Sequence, residues 1–333
     1  MKAVIKQLGL KLLTAPTLYG WLQRRALKDA PVTILCYHTL RPDHETIASW
    51  LALRDGDFAA QIAALRASYD IVSLDEALAS AKSQAKSPAT SDKPRAVLTF
   101  DDGEWAMHAH LLKIVEAEDL PVTLYVATGQ IETGQPYWFD RVINALQSSG
   151  ERQITLDGLG HWTIGPALGK PRWEQIGAVL EALKAQPEDT RDALADQIIA
   201  QASPTDAPGF TPMAPMTRAQ LQEVAAHPLV TIGAHSHGHE LLDRITPDAA
   251  RASIARSKEL LEAWTGQTID HFAYPNGNSA PAVVEILKDL GFRSATILGD
   301  RLAHASDPAL LLPRISVGRY DALERLRLRL VNI

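Results

Sequence analysis

Seven short runs of β-favouring residues recur along this 333-residue chain, most of them separated by a segment of helical spacing. They lie at residues 32–37, 96–100, 122–126, 229–233, 269–274, 293–298 and 313–317. Apolar runs of this length, bounded by turn residues, fit buried strands rather than helices. Helical patterns fall at 58–67, 74–81, 105–117, 248–264, 281–290 and 321–330. Strand followed by helix followed by strand implies parallel pairing through crossover helices. The expected class is therefore α/β, with about seven strands. An apolar fraction of 46% supports a sizeable core.

The alternation pauses between about 135 and 226. Helical patterns at 139–146, 173–183, 191–202 and 218–226 follow one another there, and 154–156 and 162–164 flank Asp157-Gly158 as a small hairpin. This segment reads as a mainly helical insertion riding on one end of a barrel, with Pro204, Pro208, Pro212 and Pro215 marking the return. Residues 82–93, rich in Ser, Lys, Ala and Pro, read as an exposed loop. The domain organisation expected is an N-terminal amphipathic helix at 1–30 and a barrel over 31–333 carrying the insertion.

The N-terminal segment places Lys2, Lys6, Lys11, Arg24 and Arg25 among Val4, Ile5, Leu8, Leu12, Trp21 and Leu22. Such a helix can contact an anionic membrane surface through residues 1–27, or pack on the domain's own body. Lys11 and Pro16 interrupt the apolar run, so a cleaved signal is not expected, and no run is long enough to span a bilayer. A cytoplasmic or membrane-peripheral placement is expected, with export left open. A net charge of −6 gives no footprint for nucleic acid. The single cysteine, Cys36, excludes an internal disulfide framework and a cysteine-rich zinc site; inside an apolar run it reads as a buried, inert thiol.

Two clusters carry chemistry. The run Ala96-Val97-Leu98-Thr99-Phe100 stops at Asp101-Asp102-Gly103. Adjacent carboxylates repel unless a cation lies between them or one stays protonated. Asp-Gly is also ordinary turn chemistry, so a cation site and a plain turn both fit. The second cluster, His235-Ser236-His237-Gly238-His239, follows the run at 229–233. His235 and His239 are four apart, which puts both rings on one face if the backbone turns helically; His237 then points elsewhere. Both clusters end strands, and in a barrel such ends share a face. One carboxylate and two imidazoles form a facial triad with open positions, as catalytic metal sites do, and the spare carboxylate can act as a base.

Thr99-Phe100-Asp101-Asp102-Gly103 together with His235-Ser236-x-x-His239 resembles the first two motifs of the polysaccharide deacetylases, carbohydrate esterase family 4 (NodB homology). The resemblance covers roughly 32–128 and 211–318. It implies a distorted (β/α) barrel of about seven strands. It also implies Asp101 as catalytic base and Asp102, His235 and His239 as metal ligands. Leu35-Cys36-Tyr37-His38, Phe272-Ala273-Tyr274-Pro275-Asn276-Gly277 and Leu312-Pro313-Arg314-Ile315 resemble segments of the subgroup acting on exopolysaccharides such as poly-N-acetylglucosamine. The third family motif, usually Arg-x-Pro-Tyr-Gly, has Ala273 at its Arg position and Asn276 at its Tyr position. The Arg normally pairs with the catalytic Asp, so Arg314 is the candidate to replace it, the alternative being a purely structural ion pair. Asn276 can still give a backbone N–H to an oxyanion, with Tyr274 beside it as a further oxyanion or substrate contact. The late Leu-x-His of the family is not visible, which leaves His38 and His304 as histidines to consider for proton transfer. Trp138 and Asp140 open the insertion; they can contact sugar, or dock the insertion on the barrel.

The reaction this implies is hydrolysis of acetyl groups from N-acetylated, or O-acetylated, sugars of an oligo- or polysaccharide. The implied cofactor is a divalent metal, zinc by default, with nickel, cobalt or iron also suited to the ligands. Two other readings share the scaffold: a hydrolase of a different non-peptide C–N bond, and a non-catalytic sugar-binding or assembly protein.

Overall fold

The seven runs become seven parallel strands that close on themselves. A computed structural model describes residues 13–28, 32–82, 93–148, 150–202 and 209–332. Its strands are β1 (Val32–Tyr37), β2 (Thr39–Arg41), β3 (Ala52–Arg54), β4 (Asp70–Ile71), β5 (Arg95–Phe100), β6 (Val122–Val126), β7 (Arg152–Leu156), β8 (Gly160–Ile164), β9 (Val230–Ala234), β10 (His271–Ala273), β11 (Ser294–Leu298) and β12 (Leu312–Ser316). The ring runs β1, β12, β11, β10, β9, β6, β5, and closes where β5 pairs with β1 from Val32↔Arg95 to Tyr37↔Phe100. The short β4 pairs beside it with the start of β5. Closure removes the open sheet edges that a seven-stranded sheet would otherwise expose.

Period-two alternation sorts each strand's side chains into two cores. Leu35, Leu98, Phe100, Leu124, Ile232, Phe272 and Ile315 join the main core, under the outer helices. Ile34, Val97, Tyr125, Ala273 and Leu312 form a smaller cluster inside the ring. The inner positions are otherwise small or polar: Thr99, Thr123, Gly233 and Thr296. Gly233 must lack a side chain, because a Cβ there would lie 2.5 Å from the Tyr125 ring. This sparing use of bulk leaves room for Arg314, wholly buried, whose guanidinium lies over Tyr125 at 5.3 Å.

The outer helices match the expected spacings. Helix Pro247–Thr265 starts where Thr246 accepts a bond from the Ala249 N–H, with Pro247 at the first position, and stops at Gly266 in the left-handed region. The expected helix at 105–117 is less regular: Met107–Leu111 is a π-helical turn that continues into Leu112–Glu118. The sequence reading missed β2, β3 and β4, whose two or three residues are too few for a periodic signal.

Between β6 and β9 the chain builds a separate core. Val142, Ile143, Leu146, Ile154, Leu156, Ile164, Ile176, Val179, Leu183, Leu194 and Ile198 pack together there, joined by Ile47 and Ala48 from the segment after β2. They come from helix Trp138–Ala145, the antiparallel hairpin β7–β8, helix Lys170–Lys184 and helix Glu188–Gln201. Helix Arg218–Ala225, read from the sequence with the insertion, instead places Leu221, Val224 and Ala225 in the main core. Pro204, Pro208 and most of the expected loop at 82–93 lie outside the described residues.

Of the N-terminal segment, residues 1–12 lie outside the described residues. Helix Pro16–Ala26 carries Ala26 and, just beyond it, Leu27 against the main core; Arg327 lies over its Tyr19 ring. Trp21 is half exposed, with Arg25 over its ring. Among the described residues, no helix is long and apolar enough to cross a membrane.

Candidate active site

The C-terminal ends of six ring strands meet at one cavity of about 330 Å³. His38 follows β1, Asp101 and Asp102 follow β5, His235 follows β9, and Asn276 follows β10; Leu298 ends β11 and Ser316 ends β12. Parallel strands point their C-terminal ends the same way, so residues far apart in sequence gather on one rim.

The turn after β5 sets the two carboxylates in different directions. Asp101 stays in register, its N–H donating to Tyr37 O at 3.0 Å. Asp102 then takes φ 77° and Gly103 φ 78°, a left-handed pair that reverses the chain; Tyr137 Oη donates to Asp102 O at 2.7 Å. Asp tolerates that region better than most residues, and a Cβ on Gly103 would press on Val126 at 3.0 Å. The turn and the acid site are thus the same feature.

Asp102, His235 and His239 converge. Their ligand atoms fall within 4.8 Å of one another. Asp102 Oδ1 lies 3.6 Å from His235 Nε2 and 3.4 Å from His239 Nε2. The backbone does not turn helically here: 235–239 is a loop with φ 61° at Ser236 and φ 59° at His239, and this brings the two rings to 4.9 Å at an angle of 72°. His237 faces away, its Nδ1 on Thr128 Oγ1 at 2.8 Å. His235 Nδ1 donates to Ala273 O at 2.7 Å, which turns the Nε2 lone pair toward Asp102. Burial pushes His235 down to about 4, so its imidazole is neutral near pH 7. Tyr137 and Phe139 hold the His239 ring at 5.2 and 5.5 Å.

This donor set fits a divalent metal. Asp102 Oδ1 is buried and has no hydrogen-bond partner, an uncommon state for a carboxylate oxygen. A tetrahedral ion with bonds of ~2 Å needs donor–donor edges of ~3.3 Å, close to the separations present.

Asp101 is held differently. Arg314 Nη1 donates to Oδ1 at 2.7 Å and Nη2 to Oδ2 at 2.6 Å, a bidentate pair. Thr99 Oγ1 accepts a further bond from Nη1 at 3.0 Å. Burial alone would raise the Asp101 pKa, but Arg314 and His235 outweigh it and hold the carboxyl well below the usual carboxylate range. Asp102 also stays low against the burial effect, through His239 and His38. Cys36 lies beneath, Sγ 3.5 Å from Asp101 Oδ2, and burial pushes its thiol up, in keeping with an inert role.

The remaining expected residues divide. His38 lines the cavity, its ring 6.0 Å from Trp50. Trp138 lines it too, beneath Arg191 at 5.0 Å. Asn276 lines it with φ 56°, its Oδ1 accepting from Lys184 Nζ at 2.8 Å. Gly277 next to it cannot carry a side chain, since a Cβ would meet Leu298 N at 2.6 Å. Tyr274 and Asp140 are corrections. Tyr274 is wholly buried in the main core against Phe272, on the opposite pleat from the cavity, and does not line it. Asp140 is 2% exposed and does not line the cavity; burial and the nearby Asp102 and Glu104 charges push its carboxyl up. His304 sits in the loop before β12, where its N–H donates to Asp307 Oδ2, and does not line the cavity. The sequence reading missed Tyr137, Trp50, Trp173 and Lys184. Of these only Tyr137 carried a signal, as the aromatic beside Trp138.

A closed parallel β/α barrel whose rim sets an Asp/His cluster beside a clamped carboxylate has the architecture of a barrel hydrolase. The polysaccharide deacetylase family profile matches residues 89–295. The chain belongs to this family, as its motifs led one to expect. No curated protein matches the sequence. Among solved structures, the Streptococcus pyogenes deacetylase PplD in complex with acetate is similar at TM-score 0.58 and 18% identity, over 89% of this chain and 96% of that one. IcaB from Ammonifex degensii gives TM-score 0.56 at 18% identity, over 90% and 97%. The BpsB deacetylase domain from Bordetella bronchiseptica gives 0.53 at 15%, over 87% and 96%. At these identities the likeness speaks for the fold.

Proposed function

We propose that the protein is a metal-dependent hydrolase that removes acetyl groups from N-acetylated sugars of an oligo- or polysaccharide. The observation that carries this reading is the division of labour between adjacent acids: Asp102 faces two imidazoles, while Asp101, on the same cavity, is gripped by Arg314. Asp102, His235 and His239 would hold the metal, zinc by preference for two imidazoles and a carboxylate, with nickel, cobalt or iron as alternatives. Bound there, the ion supplies Lewis-acid polarisation of the acetyl carbonyl and acidifies water.

The chain's own residues do the rest. Asp101 takes the proton as water attacks; its bidentate bond to Arg314 aims the carboxylate and keeps it ionised. Arg314 enters from β12, so it occupies in space the role that Ala273 on β10 leaves vacant. A backbone N–H at Asn276 steadies the oxyanion. His38 delivers a proton to the leaving amine, being the histidine on the cavity wall outside the ligand set. The test is acetate release from N-acetylglucosamine oligomers, with and without a chelator, by the wild type and Asp101→Asn. Release that stops with chelator and with the variant is expected. Tight oligomer binding with no acetate, unchanged by Asp101→Asn, would leave the sugar-binding reading in its place.

A further inference from the structure

One wall of the cavity, on the insertion side, is unlike a polysaccharide groove. Helix Lys170–Lys184 spreads its apolar residues over a wide face, of which only part is fully buried. Ile176, Val179 and Leu183 face the insertion core. Trp173 and Leu180 are only partly buried against that same core, and with Gly177 they line the cavity beside Leu51 of the barrel rim and the buried Ile143. Aromatic rings serve sugar faces and apolar chains alike. Leu51 and Leu180 do not: aliphatic side chains offer no partner to a sugar hydroxyl, and burying an unpaired hydroxyl is costly.

Gly177 points the same way. It has helical backbone, so conformation does not demand glycine, and a Cβ there would meet only Trp173 at 3.9 Å. Glycine inside a helix costs about 1 kcal/mol against alanine. What its absent side chain leaves is space on the cavity side. The cations nearby do not call for a charged ligand. Lys184 is bonded to Asn276 and lies 3.5 Å from Glu181; Arg191 is paired with Glu188 and Asp192.

Resting on the deacetylase reading for the position of the sugar, we propose that this wall is a subsite for a neutral apolar aglycone, so that the substrate class is an acetylated sugar carrying an alkyl or similar hydrocarbon group. The acetamido group is placed at Asp101 and Asp102, and the hydrocarbon runs between Trp173, Gly177 and Leu180.

The test compares octyl and methyl β-glycosides of N-acetylglucosamine, below the micelle concentration, with tri-N-acetylchitotriose as the polar competitor. Binding is read from quenching of tryptophan fluorescence, since Trp50, Trp138 and Trp173 line the cavity, and turnover from acetate release. The octyl glycoside should bind at least about tenfold tighter than the methyl one, the effect of burying about two methylenes. Gly177→Met, which fills the space, and Leu180→Asp, which polarises it, should each bring that ratio near one. Equal binding of the two glycosides, or a ratio insensitive to both variants, overturns the subsite. A trisaccharide that displaces the octyl glycoside at lower concentration, with the same sensitivity to Gly177→Met, assigns the wall to sugar instead. Binding preference without acetate release from any compound keeps the subsite and removes the deacetylase reading.

Discussion

Each end of the barrel holds a buried histidine between strands, and the two have opposite surroundings. At the C-terminal end, His235 gives Nδ1 to a backbone carbonyl and turns Nε2 toward Asp102 at a cavity. At the N-terminal end, His271 opens β10 with Nδ1 on Ser294 Oγ at 2.8 Å and Nε2 at 3.3 Å from Asp75 Oδ1, near it without a hydrogen bond. Ser294, His271 and Asp75 have the order of a hydrolytic triad, yet Ser294 is wholly buried and His271 is 1% exposed. A nucleophile without access has no substrate. Residue types alone do not distinguish the two ends; access does, and barrel chemistry belongs where the loops leave a cavity.

The widest gap between the ends should appear in the acids of the upper one. Asp101→Asn is expected to lower turnover by about 10²–10⁴-fold, the range for losing a general base, while metal content stays that of the wild type. Asp102→Ala should lose the metal, by more than the ~10–100-fold typical of losing an outer partner. Elemental analysis and acetate release, run side by side on both variants, read this out; equal metal loss in the two would falsify the division of roles. Next in size is Arg314→Gln. It leaves Asp101 buried without its partner, a break that typically costs ~3–5 kcal/mol, and denaturant midpoints should fall accordingly. A variant as stable as the wild type would show that the pair is not held in the folded protein.

Smaller effects should mark the lower end. Ser294→Ala leaves His271 Nδ1 without its partner, and should cost ~1–3 kcal/mol in stability with turnover per folded molecule unchanged. A turnover loss there would give the lower cluster a functional role after all. The smallest effect is pH-dependent. Burial lowers the His271 pKa below its ordinary 6.5, against the raising effect of Asp75. The unfolded chain then takes up its proton first as pH falls, so the contribution is fully present above pH 6.5 and is lost progressively below it, toward the folded value. Denaturation of wild type and His271→Gln at pH 7.5 and 5.5 isolates it: the stability difference between the two proteins should shrink at the lower pH, and a constant difference would refute the linkage.

How far the site was legible depended on how local each residue's cause was. Asp101, Asp102, His235 and His239 stand at the ends of apolar runs, so one rule about parallel strands placed all four on one rim. Tyr274 and Asp140 fall outside the cavity although Asn276 lies two positions from the one and Phe139 next to the other; pleat and helix phase, which sequence neighbours do not share, turned Tyr274 into the core and Asp140 away from the cavity. The loop at 235–239 brought its rings together through left-handed residues at Ser236 and His239, where helical spacing had suggested another route. Trp50, Trp173 and Lys184 carried no signal, since Trp50 meets His38 only through the folded rim and Trp173 and Lys184 reach the cavity only once the insertion docks.

The sequence by itself determined the parallel α/β order, the seven strands, the family and the acid and histidine motifs, because these rest on periodicity and on residues adjacent in the chain. Only the tertiary structure decided that Arg314 grips Asp101. The two are 213 positions apart, and nothing local links them; the ring brings β12 beside β1 and β1 beside β5, and small inner residues leave the path the guanidinium takes. The apolar wall was decided the same way. Trp173 and Leu180 pack on the insertion core, and only the docking of the insertion on the barrel rim lets their remaining surface, with Gly177, line the cavity.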